Sequence, residues 1–271
     1  MHSCATVLFA AVLCPVTVIG EGKHAFVTLI AGADVGGYVN GAVALSHSLD
    51  AVASSIPRVC MVTPDVPPEH TELLRASGFD TVAVSPLECN ASDSIRLIRK
   101  TEKYNNLCTK IQAWTLESYD KLVFLDADAL VLRNVDHLFD TKSDFAIAPD
   151  SGCPEHGNTG VFVLTPSTDV YATLLELNGA GNSFDATDQG LLNSYCSAIG
   201  RPWYFSGRDD PTCTRLPMAY NLNIDYTVDY QALQFGTRTT SQNMLFPHIV
   251  QFAGTSAKLV ASLCCVQGLL R

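Results

Sequence analysis

A chain of 271 residues, 47% hydrophobic and 16% charged, is long enough to bury one sizeable core and has the composition of a globular protein. Its net charge of -10 and pI near 5.0 exclude duplex nucleic acid as the natural partner, since that binding rests on neutralising phosphates with basic side chains. The basic residues Arg96, Arg99, Lys100, Lys103 and Lys110 are nevertheless gathered together, which reads either as a solvated helix face or as a place to meet one small anion.

In chain order, Thr6 to Ile19 is a near-unbroken apolar run followed by Gly20-Glu21-Gly22. It resembles the core and small-residue end of a secretory signal, without the basic segment that usually precedes one. A short signal anchor and a buried first strand are the alternatives; the run is short of the roughly 20 apolar residues that a stable membrane span needs. Of ten cysteines, Cys4 and Cys14 would leave with such a leader, and Cys60, Cys89, Cys108, Cys153, Cys196, Cys213, Cys264 and Cys265 would remain. Together with the glycosylation sequon Asn90-Ala91-Ser92, this predicts a location in the secretory pathway, in the Golgi lumen or outside the cell, with disulfides of open pairing. No Cys-x-x-Cys pair occurs, so a structural zinc site is not expected.

Past the leader, His24 to Ile30 reads as a first buried strand running into the small-residue loop Ala31 to Gly37, then a helix from Tyr38 to Ala53. Arg58 to Thr63 is a second strand, Glu69 to Ser77 a helix stopped by Gly78, and Thr81 to Val84 a third strand. Thr109 to Ser118 reads as a helix leading into the strand Leu122 to Leu125. In the second half, Phe145 to Ala148 and Asn158 to Leu164 are strands, Tyr171 to Leu177 and Leu191 to Cys196 helices, and Leu216 to Ile224 and Pro247 to Ala253 further strand candidates. Strands alternating with helices, most of the strands wholly apolar, define an α/β domain with a mostly parallel central sheet flanked by helices.

Within Leu122 to Leu132, Asp126 and Asp128 interrupt an apolar run. Burying ionised carboxylates is costly unless they are paired or hold a metal. If the chain stays extended here, residues two apart share a face, and both carboxylates project the same way at the end of a buried strand. Their oxygens suit a hard divalent cation, which could in turn hold a diphosphate. The loop after the first strand ends at a matching position, where open α/β sheets bind ligands. It matches neither Gly-x-Gly-x-x-Gly nor the phosphate loop, so nicotinamide and ATP readings lose weight.

Six segments in order carry a resemblance: Thr109-Lys-Ile-Gln-Ala-Trp114, Phe124-Leu-Asp-Ala-Asp128, Asn158-Thr-Gly-Val-Phe162, Phe184 to Asn193, Tyr220-Asn-Leu222 and Ile249-Val-Gln-Phe-Ala-Gly254. By them the chain resembles the glycogenin-like retaining glycosyltransferases, family 8, of GT-A fold. The resemblance implies a UDP-hexose donor, a Mn2+ or Mg2+ cofactor and a glycan, lipid or protein acceptor. It implies that Asp126 and Asp128 hold the metal and that Asp188 and Gln189, with Asp185, form the catalytic segment. Lys110, Arg99, Ala127, Asn158, Gly254 and Lys258 would contact the donor, and Tyr38 would stack on its uracil.

Two departures bear on that pattern. The family usually closes its core with His-Phe-x-Gly, the His being the third metal ligand, and then Lys-Pro-Trp. Here Gln251 stands at the His position, so Gln251 is read as the third ligand; His248 lies three residues earlier, an offset that faces the other side of a strand. Lys258 follows Gly254 by four residues and precedes Leu259-Val260, not Pro-Trp. The position of glycogenin's acceptor tyrosine falls on Val228, so self-glucosylation does not carry over. The reading divides the chain into a leader over residues 1–22, a glycosyltransferase domain over 23–260 and an atypical tail over 261–271. A catalytically impaired member that binds nucleotide sugar or glycan is the alternative function.

Overall fold

A computed structural model of the chain describes residues 23–92, 106–150, 156–198, 213–223 and 247–252. Strands β1 (His24–Ile30), β2 (Arg58–Val62) and β4 (Lys121–Leu125) are mainly apolar and buried, as expected, whereas the edge strand β3 (Asp80–Ala83) is not; the four pair in parallel in the order β3-β2-β1-β4. Strand β7 (Gly157–Leu164) runs antiparallel to β4 and to β6 (Phe145–Pro149), and a short β8 (Thr214–Arg215) closes the seven-stranded sheet beside β6. The α/β class predicted from the sequence is the one observed.

Helix α1 (Gly36–Ala51) buries Val39, Ala42, Leu45 and Leu49, one stripe of a helical repeat. Helix α2 (Pro68–Ala76) begins on a proline, whose missing N–H costs nothing in a first turn, and is followed by Gly78 at φ +100°. Helix α3 (Thr168–Gly179) is capped by Ser167, whose hydroxyl accepts from the Val170 N–H; α4 (Asp188–Ala198) follows.

Alternation along β4 sends its side chains to two cores. Phe124 packs with Trp114, Phe145, Phe162, Leu174 and Leu191 beneath α3 and α4, its ring stacked on Phe162 at 4.7 Å between centroids. Val123 and Leu125 face the opposite way, with Phe26, Leu45, Leu49, Val131 and Ile249. That second face carries a small sheet in the order β5-β10-β9, made of β5 (Ala129–Val131), β10 (Ile249–Gln251) and β9 (Leu222–Asn223).

Four elements differ from expectation. Leu107–Thr115 is a 3-10 helix, not an α-helix ending at Ser118; the Leu116 N–H closes onto the Ala113 carbonyl, three residues back. The expected strand Leu216 to Ile224 is broken where Pro217 brings no N–H, into β8, a 3-10 turn Met218–Tyr220 and β9. Strand β5 and the 3-10 helix Asp136–Asp140 had no counterpart in the sequence reading.

The open cysteine pairing resolves in part into Cys89–Cys108 and Cys196–Cys213. Cys60 is a buried free thiol, which burial pushes up to about 12. The proposed leader and tail, residues 1–22 and 261–271, lie outside the described residues, as do Cys153, Cys264 and Cys265. Because Phe162 sits at the centre of the aromatic stack, Phe162→Ala is expected to lower stability by about 3–5 kcal/mol, read as a fall in the denaturant midpoint at unchanged slope.

Candidate active site

At the carboxyl end of β4 the chain turns sharply. The Ala129 N–H donates to the Asp126 carbonyl at 2.9 Å, so Asp126-Ala127-Asp128 is a corner and not the extended strand end expected from the run. Neighbours on both sides fix it: the Asp126 N–H donates to the Gly160 carbonyl of β7 (2.9 Å), and the Phe252 N–H to the Asp128 carbonyl (3.0 Å). The two carboxylates converge on Gln251 because of this turn.

Lys110, on the 3-10 helix, reaches under the corner. Its ammonium lies 2.7 Å from Asp126 Oδ1 and 2.9 Å from Asp188 Oδ2, donates to the Thr159 carbonyl at 3.3 Å, and sits 5.4 Å from the Phe124 ring centroid. Asp188 comes from the first turn of α4, where a carboxylate also suits the helix dipole. Lys110 and Asp188 are both buried. Burial alone would lower the lysine pKa, but Asp126 and Asp188 outweigh it and hold the ammonium well above its ordinary value. Burial, and the charge of Asp188, push Asp126 above the usual carboxylate range against the pull of Lys110. Asp128 is pushed up to about 7, by burial and then by Asp126.

Gln251, brought in by the pairing of β10 with β5, closes the other side. Its Nε2 donates to Asp126 Oδ2 at 2.9 Å and Asp128 Oδ1 at 3.2 Å. Gly160 leaves the room, since a Cβ there would lie 2.5 Å from Gln251 Oε1. The ring of His248 packs instead against Tyr220 and His137, with centroids 4.9 and 6.2 Å away, so the offset read from the sequence does turn it elsewhere.

Among the described residues no group of three His, Cys, Asp or Glu side chains is arranged to hold a metal. The side chains that converge here are Asp126, Asp128 and the carboxamide of Gln251, which turns Nε2 and not its oxygen to both carboxylates. Carboxylate oxygens suit a hard divalent cation, and an amide oxygen would join them if the carboxamide turned over.

Beside this centre a network of amides gathers on one carboxylate. Asn158 Nδ2 and Gln189 Nε2 both donate to Asp150 Oδ2, at 3.0 and 3.2 Å, while Asn158 Oδ1 accepts from the Gly160 N–H and from Asn221 Nδ2. Asp150 is not among the residues that the sequence singles out; a lone Asp after a strand gives no signal until the fold brings Asn158 and Gln189 to it. Asp185, expected among the catalytic residues, is turned inward. Its Oδ1 accepts from the Thr187 N–H and hydroxyl, the Gly190 N–H and the Ser183 hydroxyl, which makes it the clasp that starts α4. Tyr38 is exposed on α1. Arg99, Gly254 and Lys258 lie outside the described residues, as does Val228.

The architecture and this acidic corner at a strand end define the class, a GT-A glycosyltransferase fold. A structure of the galactosyltransferase LgtC with donor and acceptor sugar analogues superposes with a TM-score of 0.57 at 14% identity, covering 88% of this chain and 95% of that one. The glycosyltransferase GlyE of Streptococcus pneumoniae TIGR4 gives 0.55 at 18% identity, covering 86% and 56%. The family model for glycosyl transferase family 8 matches residues 30–244, and the chain belongs to that family. It is similar to glycogenin-1 of Caenorhabditis elegans, 36% identical over 204 residues (74% of this chain, 45% of the relative). Human glycogenin-2 is 40% identical over 223 residues (79% and 40%), and galactinol synthase 1 of Ajuga reptans 30% over 233 residues (74% and 65%). The chain thus spans about half the length of the glycogenins it matches.

These relatives overturn the expected secretory location, for glycogenins are cytosolic. No helix of the described residues is long and apolar enough to cross a membrane.

Lys110→Met would leave Asp126 and Asp188 buried without their cation, so the variant is expected to lose about 3–5 kcal/mol of stability. Adding Asp188→Asn to it should restore part of that loss. Additive effects in the double-mutant cycle, read from denaturant midpoints, would show that the pair is not coupled.

Proposed function

We propose that this chain is a retaining hexosyltransferase that takes a hexose from UDP-hexose with the help of Mn2+ or Mg2+. The observation that carries the reading is the convergence of Asp126, Asp128, Lys110 and Asp188 at the carboxyl end of β4. Asp126, Asp128 and the carboxamide oxygen of Gln251 would hold the cation, which when bound would neutralise charge building on the departing diphosphate.

The chain's own groups divide the remaining work. Lys110 is a buried, ionised ammonium whose three hydrogens already serve Asp126, Asp188 and the Thr159 carbonyl, so it would act on a bound diphosphate through its preorganised field and by holding Asp126 in place. Asp188 keeps that ammonium in place and, from the first turn of α4, borders the space where a sugar would sit. Asp150 orients the amides of Asn158 and Gln189, the groups we assign to sugar hydroxyls and to the anomeric region. Ala127, in the corner, would lie along the donor and Tyr38 would stack on its base. Asp185 acts through α4, by fixing the turn that presents Asp188 and Gln189. The acceptor is a glycan, a lipid or a protein hydroxyl.

A second reading is favoured by Gln251, whose amide already satisfies both carboxylates: a member that binds nucleotide sugar or glycan without turning it over. Hydrolysis and transfer from UDP-glucose and UDP-galactose, assayed with Mn2+ or Mg2+, test the first reading. Wild type should release UDP, and Asp128→Asn should lower the rate on the order of a hundredfold or more. Equal rates in the two proteins would sink the catalytic assignment, while saturable UDP binding with no release of product would establish the second reading.

A further inference from the structure

We infer that Gln251 is a reversible latch on the acidic corner: its amide hydrogens stand in for a cation in the metal-free protein, and the amide must turn over before its oxygen can coordinate one. The inference rests on the metal-dependent reading of this site.

The geometry is specific. One nitrogen, Nε2, donates to two different carboxylates, Asp126 and Asp128, so both amide hydrogens are spent between them. The arrangement with Oε1 facing the carboxylates would set an acceptor against acceptors, which leaves this orientation as the stable one without a cation. Gln251 is buried, and its carboxamide is wedged against Gly160. The side chain therefore has two settings related by exchange of its N and O ends, with little room for others.

A cation reverses the requirement. Ligands must offer lone pairs, so Nε2–H has to leave the carboxylates and Oε1 has to replace it. Two hydrogen bonds are lost in that exchange, and binding is weakened by their value. A residue whose lone pair already faced the corner would carry no such penalty. The oxygen ligand also shifts preference. An imidazole nitrogen suits Mn2+ better than Mg2+, whereas an all-oxygen set discriminates little between the two. Position 251 is thus a determinant of both metal affinity and metal choice.

The test compares wild type with Gln251→Glu and Gln251→His, by thermal unfolding in chelator and by Mn2+ binding followed with electron paramagnetic resonance, with Mg2+ as competitor. Gln251→Glu is nearly isosteric but replaces the two N–H donors with a third carboxylate. It should unfold at a lower temperature than wild type in chelator, bind Mn2+ at least about tenfold more tightly and regain its unfolding temperature when loaded. Gln251→His should raise the preference for Mn2+ over Mg2+ by at least about tenfold. Unchanged unfolding temperature and Mn2+ affinity in Gln251→Glu would overturn the latch, as would an unchanged Mn2+ to Mg2+ ratio in Gln251→His. If Gln251→Glu does not fold, the histidine variant decides alone. Asp128→Asn separates the two ideas: Mn2+ binding unaffected by it removes the metal reading, even where the chelator measurements uphold the bridging amide.

Discussion

The structure turns on one ammonium. Asp126 ends β4, Asp188 starts α4, and the two segments lie 62 positions apart in the chain, yet both carboxylates meet at Lys110 in a place largely shut off from water. Without a positive charge between them they would repel, and the first turn of α4 could not lie against the end of β4. The lysine is held there by apolar means. Its 3-10 helix is anchored by Trp114 in the aromatic stack and by Cys108, bridged to Cys89 beyond β3, while its ammonium faces the ring of Phe124. The aromatic core beneath the sheet thereby fixes the electrostatics above it.

A second compensation, of different character, acts on the other side of the corner. Lys110 carries a full charge that does not change with any partner, and it answers Asp126 and Asp188. Gln251 carries none, and it answers Asp126 and Asp128 with two neutral hydrogen bonds. Asp126 belongs to both sets, so the corner is shared between a permanent counter-charge and an exchangeable one. Asp128 takes its side-chain hydrogen bond from this exchangeable partner, and burial, then the charge of Asp126, push its pKa up to about 7. A divalent cation would have its largest effect there, on the carboxylate least well compensated by the protein itself.

The sheet and most helices were legible because burial on both faces leaves the central strands mainly apolar, and because Pro68 and Gly78 bracket α2 with unambiguous backbone chemistry. The acidic pair was legible for a related reason: two charges in an apolar run demand an explanation. Its geometry was not. Alternation along a strand would also have set Asp126 and Asp128 on one face, but the corner is made by β7 and β10 taking up its backbone groups, and those contacts span 34 and 124 positions of sequence. Asp150 escaped notice because nothing local distinguishes it; only the fold delivers the amides of Asn158 and Gln189 to its carboxylate. Asp185 was read as chemistry because it sits in the same motif as Asp188. Four hydrogen-bond donors on one of its oxygens turn it into a structural clasp. A motif thus names a site without distributing its roles.

The same separation would let a family site keep its geometry while the residue at position 251 differs. Fold and site geometry depend on Lys110, the aromatic stack, the α4 clasp and the backbone bonds of the corner, none of which involves the side chain at position 251. In the metal-dependent reading proposed above, that side chain would set how strongly and how selectively the corner accepts a cation. Gly160 couples the two, because its missing Cβ is what lets any carboxamide sit against the corner at all. A substitution at 251 therefore changes the metal chemistry before it changes the architecture, whereas a substitution at 160 or 110 changes both together. The architecture is common to many glycosyltransferases, and competence is set by the few side chains that answer the charge of Asp126 and Asp128.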